Sequence, residues 1–173
     1  MKVADYIVNR LIKHGVTDIF GVPGGVVLEF LYALDRRSDA ITVHLSCHEQ
    51  AAALAAVGYA QAGGKLGVAY ATRGPGVTNL ITGIADAYFD SIPTLFITAH
   101  SRPYTKSKNR FDEEQEFDTV SCLEHITKYA ARIETPAEVR ETFDNAIKTA
   151  INGRPGAVFI DFLSEVFDVD VDY

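Results

Sequence analysis

Glu49 is the residue whose type and setting could do chemistry. It lies in the run Ser46-Cys47-His48-Glu49-Gln50, where a strand-forming stretch, 41–45, gives way to a helix-forming stretch of small residues, 50–62. A carboxyl group there can cap the helix, or it can share a proton with a bound ligand. Taken alone, a carboxylate at a helix start is a cap. Three corners elsewhere in the chain look built to meet Glu49, two of them rich in the glycine that close backbone approach requires. They are Gly21-Val22-Pro23-Gly24-Gly25, Thr72-Arg73-Gly74-Pro75-Gly76 and a polar stretch ending at Gln115. Asn79 and His48 complete the polar side chains near these corners, and His44 and His100 read as structural.

The surrounding elements decide whether these pieces can meet. Val3, Tyr6, Ile7 and Leu11 recur at helical spacing, and Gly15 ends that helix. Apolar runs at 17–20, 41–45, 66–71, 94–99 and 157–161 read as strands, and 127–133 alternates like one. Helices are expected at 26–34, 50–62, 77–88, 118–123 and from Pro136 onward, the last with Thr135 as its cap. The stretch 100–116 has no apolar periodicity and reads as a long polar loop. So many small residues in 50–62 predict a central, buried helix. Strand and helix alternate about six times, which predicts an α/β fold: a three-layer, doubly wound, mainly parallel six-stranded sheet with helices on both faces. Ligands of such sheets sit outside the carboxyl ends of the strands. Pro23, Glu49 and Gly76 each follow a strand, so all three belong to that edge.

Composition excludes several function classes. The 173 residues suit one domain, with 47% hydrophobic and 23% charged residues. The expected domain spans 1–165, with 166–173 an acidic tail or linker. A net charge of −7 with scattered Lys and Arg argues against a nucleic-acid partner. Two distant cysteines, Cys47 and Cys122, form no CxxC pair and read as reduced, consistent with a cytoplasmic protein and no metal site. No apolar run reaches the roughly 18 residues of a membrane span, and the start does not read as a signal peptide. The glycine turns match neither GxGxxG nor GxxxxGK[ST], and Pro23 lacks the N–H a phosphate would use.

A resemblance runs nearly end to end. It is carried by Ile19-Phe20-Gly21-Val22-Pro23-Gly24-Gly25, His48-Glu49-Gln50-Ala51-Ala52, Gly58-Tyr59-Ala60 and Gly74-Pro75-Gly76-Val77-Thr78-Asn79. It continues through Gly83-Ile84-Ala85-Asp86-Ala87-Tyr88, Asp90-Ser91-Ile92-Pro93, Gln115-Glu116-Phe117-Asp118 and Gly153-Arg154-Pro155-Gly156. In these the chain resembles the N-terminal, pyrimidine-binding domain of thiamine-diphosphate enzymes of the acetolactate synthase type. The resemblance implies that Glu49 hydrogen-bonds the N1′ nitrogen of the aminopyrimidine and favours the imino tautomer that removes the thiazolium C2 proton. It implies that Pro23, Gly24 and Gly25 line the pyrimidine pocket, with Gly76 and Asn79 near the cofactor or substrate. Gln115, Arg73 and His48 fall on the substrate side. The helix dipole favours a charged Glu49, whereas sharing a proton requires burial to oppose it.

The same comparison marks departures. Cys47 stands where those enzymes have an arginine, Val22 where they have an aromatic residue, Glu114 where they have Phe, and Arg73 where they have serine. His100 or its neighbour replaces a glutamine. These positions shape the substrate end, so the 2-oxo acid is left unassigned. The family holds Mg²⁺ and the diphosphate with a Gly-Asp-Gly and a later Asn-Asn, and the sequence contains neither. The resemblance therefore implies an inactive isolated chain. Either it is a truncated piece of a larger enzyme, or it is a subunit of a split 2-oxo acid decarboxylase, or it is a non-catalytic assembly module of the same fold. Pairing through the alanine-rich helix into a homodimer or larger assembly is expected, and whether FAD binds stays open.

Overall fold

The computed structural model describes residues 1–101, 115 and 117–173. Most of the expected polar loop, with Glu114 and Glu116, lies outside the described residues. Helix and strand alternate: α1 (Val3–Lys13), β1 (Asp18–Gly21), α2 (Leu28–Asp35), β2 (Thr42–Leu45), α3 (Glu49–Gly63), β3 (Gly67–Tyr70) and α4 (Pro75–Phe89). There follow β4 (Thr94–His100), α5 (Thr119–Leu123), β5 (Tyr129–Ile133), α6 (Pro136–Ile151) and β6 (Ala157–Leu163).

The strands form one sheet in the order β2-β1-β3-β4-β6-β5. Every pairing is parallel, where a mainly parallel sheet was expected. A parallel sheet must be covered on both faces, and alternate residues along each strand supply the two cores. Val68 and Tyr70 of β3, Leu95 and Ile97 of β4, and Val158 and Ile160 of β6 pack with α1, α2 and α6. Ala69, Phe96 and Phe159, one residue out of step, pack with α3 and α4. Burial pushes the Tyr70 phenol up to about 12, and its hydroxyl has no hydrogen-bond partner among the described residues.

The chain leaves β1 for β2 on one side and then crosses back over β1 to β3. The connections diverge between β1 and β3, which opens a crevice at the carboxyl edge. The turns 21–25 and 72–76 bound that crevice, and α3 begins beside it.

Three local expectations change. The helix expected from residue 26 begins at Leu28, after a 3-10 turn over Gly25–Val27. Gly24 is extended (φ −165°, ψ 163°) and its carbonyl accepts from the Val27 N–H at 3.2 Å, the three-residue spacing of a 3-10 turn. Helix α3 is not buried all round. Ala52, Ala53, Ala56, Val57 and Ala60 face the core, while Ala51 and Gly58 are exposed and Leu54 is 40% exposed. Residues 166–173 lie against the body. Val166 and Phe167 are buried in a 3-10 turn, Ser164–Asp168, and Phe167 stacks on Phe30 with centroids 5.8 Å apart. The N–H of Val3 donates to Val169 O at 3.0 Å and that of Val171 to Met1 O at 2.8 Å, and the Tyr173 hydroxyl donates to Pro136 O at 2.7 Å.

Candidate active site

Glu49 is the first residue of α3, and the cap before it is His48. The N–H of Gln50 donates to His48 Nδ1 at 3.1 Å. The histidine satisfies this orphan N–H, so the Glu49 carboxylate is left for other contacts. Asn79, on the second turn of α4, donates from Nδ2 to Glu49 Oε2 at 2.9 Å. The other oxygen, Oε1, faces the bare Cα of Gly76, where a Cβ would stand 3.5 Å from it. Glu49 is half-buried in this setting.

The small residues of α3 explain how two helices bring these groups together. A Cβ on Gly83 would overlap Ala53, so α3 and α4 meet at a point where neither carries bulk. Asn79 is four residues before Gly83, one turn nearer the helix start. Close approach at Gly83 therefore fixes the distance at which the Asn79 amide reaches Glu49.

The three turns are chained to one another. A Cβ on Gly24 would meet Thr72 Cβ at 2.6 Å, so the first turn rests on the second. Gly74, at φ +57°, would overlap the Gln115 carbonyl with any side chain. Gln115 itself has φ +67°, an uncommon conformation for a non-glycine residue. The third corner thus rests on the second. Pro23 and Gly25 are exposed in the first turn. The contact with the second turn belongs to Gly24. Arg73 donates from Nη1 to Ser101 Oγ at 3.0 Å. His48 is exposed apart from its capping bond.

Farther along the same edge lies a polar cluster that the sequence did not single out. Asp161 on β6 is 1% exposed. It accepts from Thr98 Oγ1 and from Thr119 Oγ1, each at 2.8 Å. Arg132 Nε lies 3.6 Å from its Oδ2, and His100 Nδ1 lies 3.3 Å from the same oxygen, out of line for a hydrogen bond. The available signal was a lone acid in an otherwise apolar strand. Thr72 was likewise missed, because its contact with Gly24 is tertiary. His44 pairs with Asp18 at 2.7 Å and stacks on Phe20, and that hydrogen bond holds the Asp18 carboxyl below its ordinary value. Cys47 and Cys122 are both free and exposed. Among the described residues no three His, Cys, Asp or Glu side chains gather as a metal site, and no helix is long and apolar enough to cross a membrane.

Fold and edge together define an α/β ligand-binding domain: a doubly wound parallel sheet with one carboxylate held at the crevice between diverging strands. Residues 1–122 match the family described as thiamine pyrophosphate enzyme, N-terminal TPP binding domain. The chain belongs to that family. It is 44% identical over 99% of its length to a probable acetolactate synthase large subunit of Methanocaldococcus jannaschii. It is 41% identical over 96% of its length to acetolactate synthase isozyme 2 large subunit of Escherichia coli. With the chloroplastic acetolactate synthase 1 of Oryza sativa it shares 39% identity over 95% of the chain. The chain spans 28%, 29% and 25% of the length of these three relatives.

Proposed function

We propose that this chain is the pyrimidine-binding part of a thiamine-diphosphate enzyme acting on 2-oxo acids, by decarboxylation and carboligation of the acetolactate synthase kind. The observation that carries the proposal is the Glu49 carboxyl group, held through Oε2 by Asn79 and facing, through Oε1, a position with no side chain. That arrangement fits a flat heteroaromatic ring. Gly76 leaves the space beside Oε1 open, a Cβ there lying at an ordinary contact distance of 3.5 Å, and a carboxyl group that shares a proton is the natural partner of a ring nitrogen.

In this reading Glu49 takes the N1′ edge of the aminopyrimidine, and Asn79 fixes the plane of the carboxyl group. Gly24, with Pro23 and Gly25 beside it, and Gly76 form the walls, and Thr72 sets the spacing between them. When bound, the cofactor supplies a carbon nucleophile and an electron sink. The chain's own part is one positioned acid and a pocket that excludes water around it. Gln115, Arg73 and His48 stand on the substrate side.

Mg²⁺ and the diphosphate are assigned to a further region, on the same or another polypeptide, and this chain alone is inactive. The exposed face of α3, with Ala51, Leu54 and Gly58, is the surface through which copies pair. The working compartment is the cytoplasm. Exchange of the cofactor C2 proton, followed by proton NMR in deuterated buffer, tests the reading. The chain with a diphosphate-binding region, thiamine diphosphate and Mg²⁺ should exchange far faster than the free cofactor. Equal rates would sink the proposal.

A further inference from the structure

We propose that His48 is a positioning residue for Glu49 that works only as a neutral imidazole, so that protonation of His48 disarms the site at acid pH. The inference rests on the assignment of Glu49 to the cofactor, and it names a regulation of that same site.

One hydrogen bond at the start of α3 has a fixed direction. The N–H of Gln50 meets His48 Nδ1 at 3.1 Å. A backbone N–H can only donate, so Nδ1 is bare and the ring proton sits on Nε2. An imidazolium carries a proton on both nitrogens and cannot accept. The cap therefore exists in one charge state and one tautomer. A positive ring would also oppose the positive end of the helix dipole. The His48 backbone is extended (φ −153°, ψ 139°), and its carbonyl accepts from the N–H groups of Ala51 and Ala52 at 3.1 and 3.2 Å. Glu49 is thus the first residue of the turn that His48 closes, and its carboxyl group reaches Asn79 from there. Without the side-chain bond that turn frays, and the carboxyl group loses its aim.

The surroundings leave the ring open to this switch. His48 is exposed, so protons reach it freely. Among the described residues the histidines within 4 Å of an acid are His44, His100 and His125, so none of these acids holds His48 in either charge state. Beside it in the chain stand Cys47, free and exposed, and Glu49, turned to Asn79. Of the elements packed against α3, β1 brings Asp18, paired with His44, and β4 brings His100, set against Asp161. Helix α4 brings Asp86, about two turns beyond Asn79. The turn 21–25 carries no charge, and the turn 72–76 carries Arg73, bonded to Ser101. A cap with no switching role is the structural alternative, and it would act alike at every pH.

The test follows exchange of the cofactor C2 proton, a step that needs no 2-oxo acid, in the complete enzyme that contains this chain. The pH runs from about 8 to about 5.5, the interval in which imidazole side chains change charge. The wild-type rate should fall toward acid by about 3- to 30-fold more than that of His48→Asn, the span of a lost N-cap. Asparagine caps a helix in one charge state throughout, so its variant should lack the extra fall. His48→Ala, with no side-chain cap at any pH, should approach the wild type only at the acid end. A second readout needs no cofactor. Nitrogen-15 spectra of this chain at about pH 8 should show the His48 ring protonated on Nε2. Hydrogen exchange of the Gln50 amide, corrected for its intrinsic pH dependence, should lose protection toward acid in the wild type and keep it in His48→Asn. Wild-type and His48→Asn acid limbs within a factor of two of each other, or a ring protonated on Nδ1 at about pH 8, would overturn the inference. If the wild type exchanges the C2 proton while the limbs coincide, only the role of His48 falls. If it does not exchange that proton, the assignment of Glu49 falls and the inference with it.

Discussion

Asn79 Nδ2 stands 2.9 Å from Glu49 Oε2, although the two residues are 30 positions apart on different helices. The bond exists because Gly83 lets α4 close on Ala53 of α3. The carboxyl group is thereby aimed by helix packing, and the flexibility of a long side chain is removed before any ligand arrives.

Glu49→Gln should slow exchange of the cofactor C2 proton by about 10²–10⁴, the range for a positioned proton-transfer group. Asn79→Ala leaves the acid but loosens its plane, and a smaller loss of about 10- to 100-fold is expected. Quenched-flow NMR of both variants in the assembled enzyme checks the order. A Glu49→Gln rate within a factor of two of wild type would remove that residue from the chemistry.

Gly83→Val should destabilise the fold by about 1–3 kcal/mol, the cost of forcing extra volume into a packed contact. Urea unfolding of the chain should show a lower midpoint with an unchanged slope. A variant as stable as wild type would mean that α3 and α4 separate freely, contrary to the overlap with Ala53.

Asp161→Ala removes the acceptor of two buried hydroxyl groups, Thr98 and Thr119. Each unsatisfied hydroxyl costs about 1–3 kcal/mol, so a loss of about 3 kcal/mol is expected. Thermal melts followed by circular dichroism would measure it. A variant melting within a degree or two of wild type would show that the cluster is replaceable by water.

Much of the fold was legible because its code is local. The strand 66–71 is apolar throughout, as a doubly covered parallel sheet demands, and Thr135 before Pro136 announces the start of α6. What the sequence hid is tertiary. Asn79 could be placed on a helix but not against Glu49, since that contact depends on the crossing at Gly83. His48 was an unobvious cap because histidine seldom serves as one. Val166 and Phe167 were concealed among acids, so a buried 3-10 turn resembled a solvated tail. Asp161 was visible as a charge in an apolar strand, but its partners come from β4, α5 and β5 and no spacing reveals them.

The α6 start also predicts a pH effect. Glu138 accepts from the N–H groups of Glu134 and Thr135, each at 3.0 Å, and these bonds hold its carboxyl below the ordinary value of 4.5. A lowered folded value means that the stabilisation is complete above 4.5. It fades as pH falls below that point and is gone beneath the folded value. Glu138→Gln should therefore flatten the acid limb of a stability–pH curve below pH 4.5, measured by urea titrations at closely spaced pH. An identical limb in the variant would contradict it.

Met1 donates from its amino group to Val171 O at 3.0 Å and accepts from the Val171 N–H at 2.8 Å. The Val3 N–H extends this pairing by donating to Val169 O at 3.0 Å, so residues 1–3 and 169–171 lie side by side. A short peptide bridge could therefore join Tyr173 to Met1 without bending the sheet, and fresh termini could be cut at the exposed corner Gly64-Lys65. A rearranged chain of that order should still fold with the Glu49 crevice intact, because that opening lies on the carboxyl edge and the cut would lie at the opposite one.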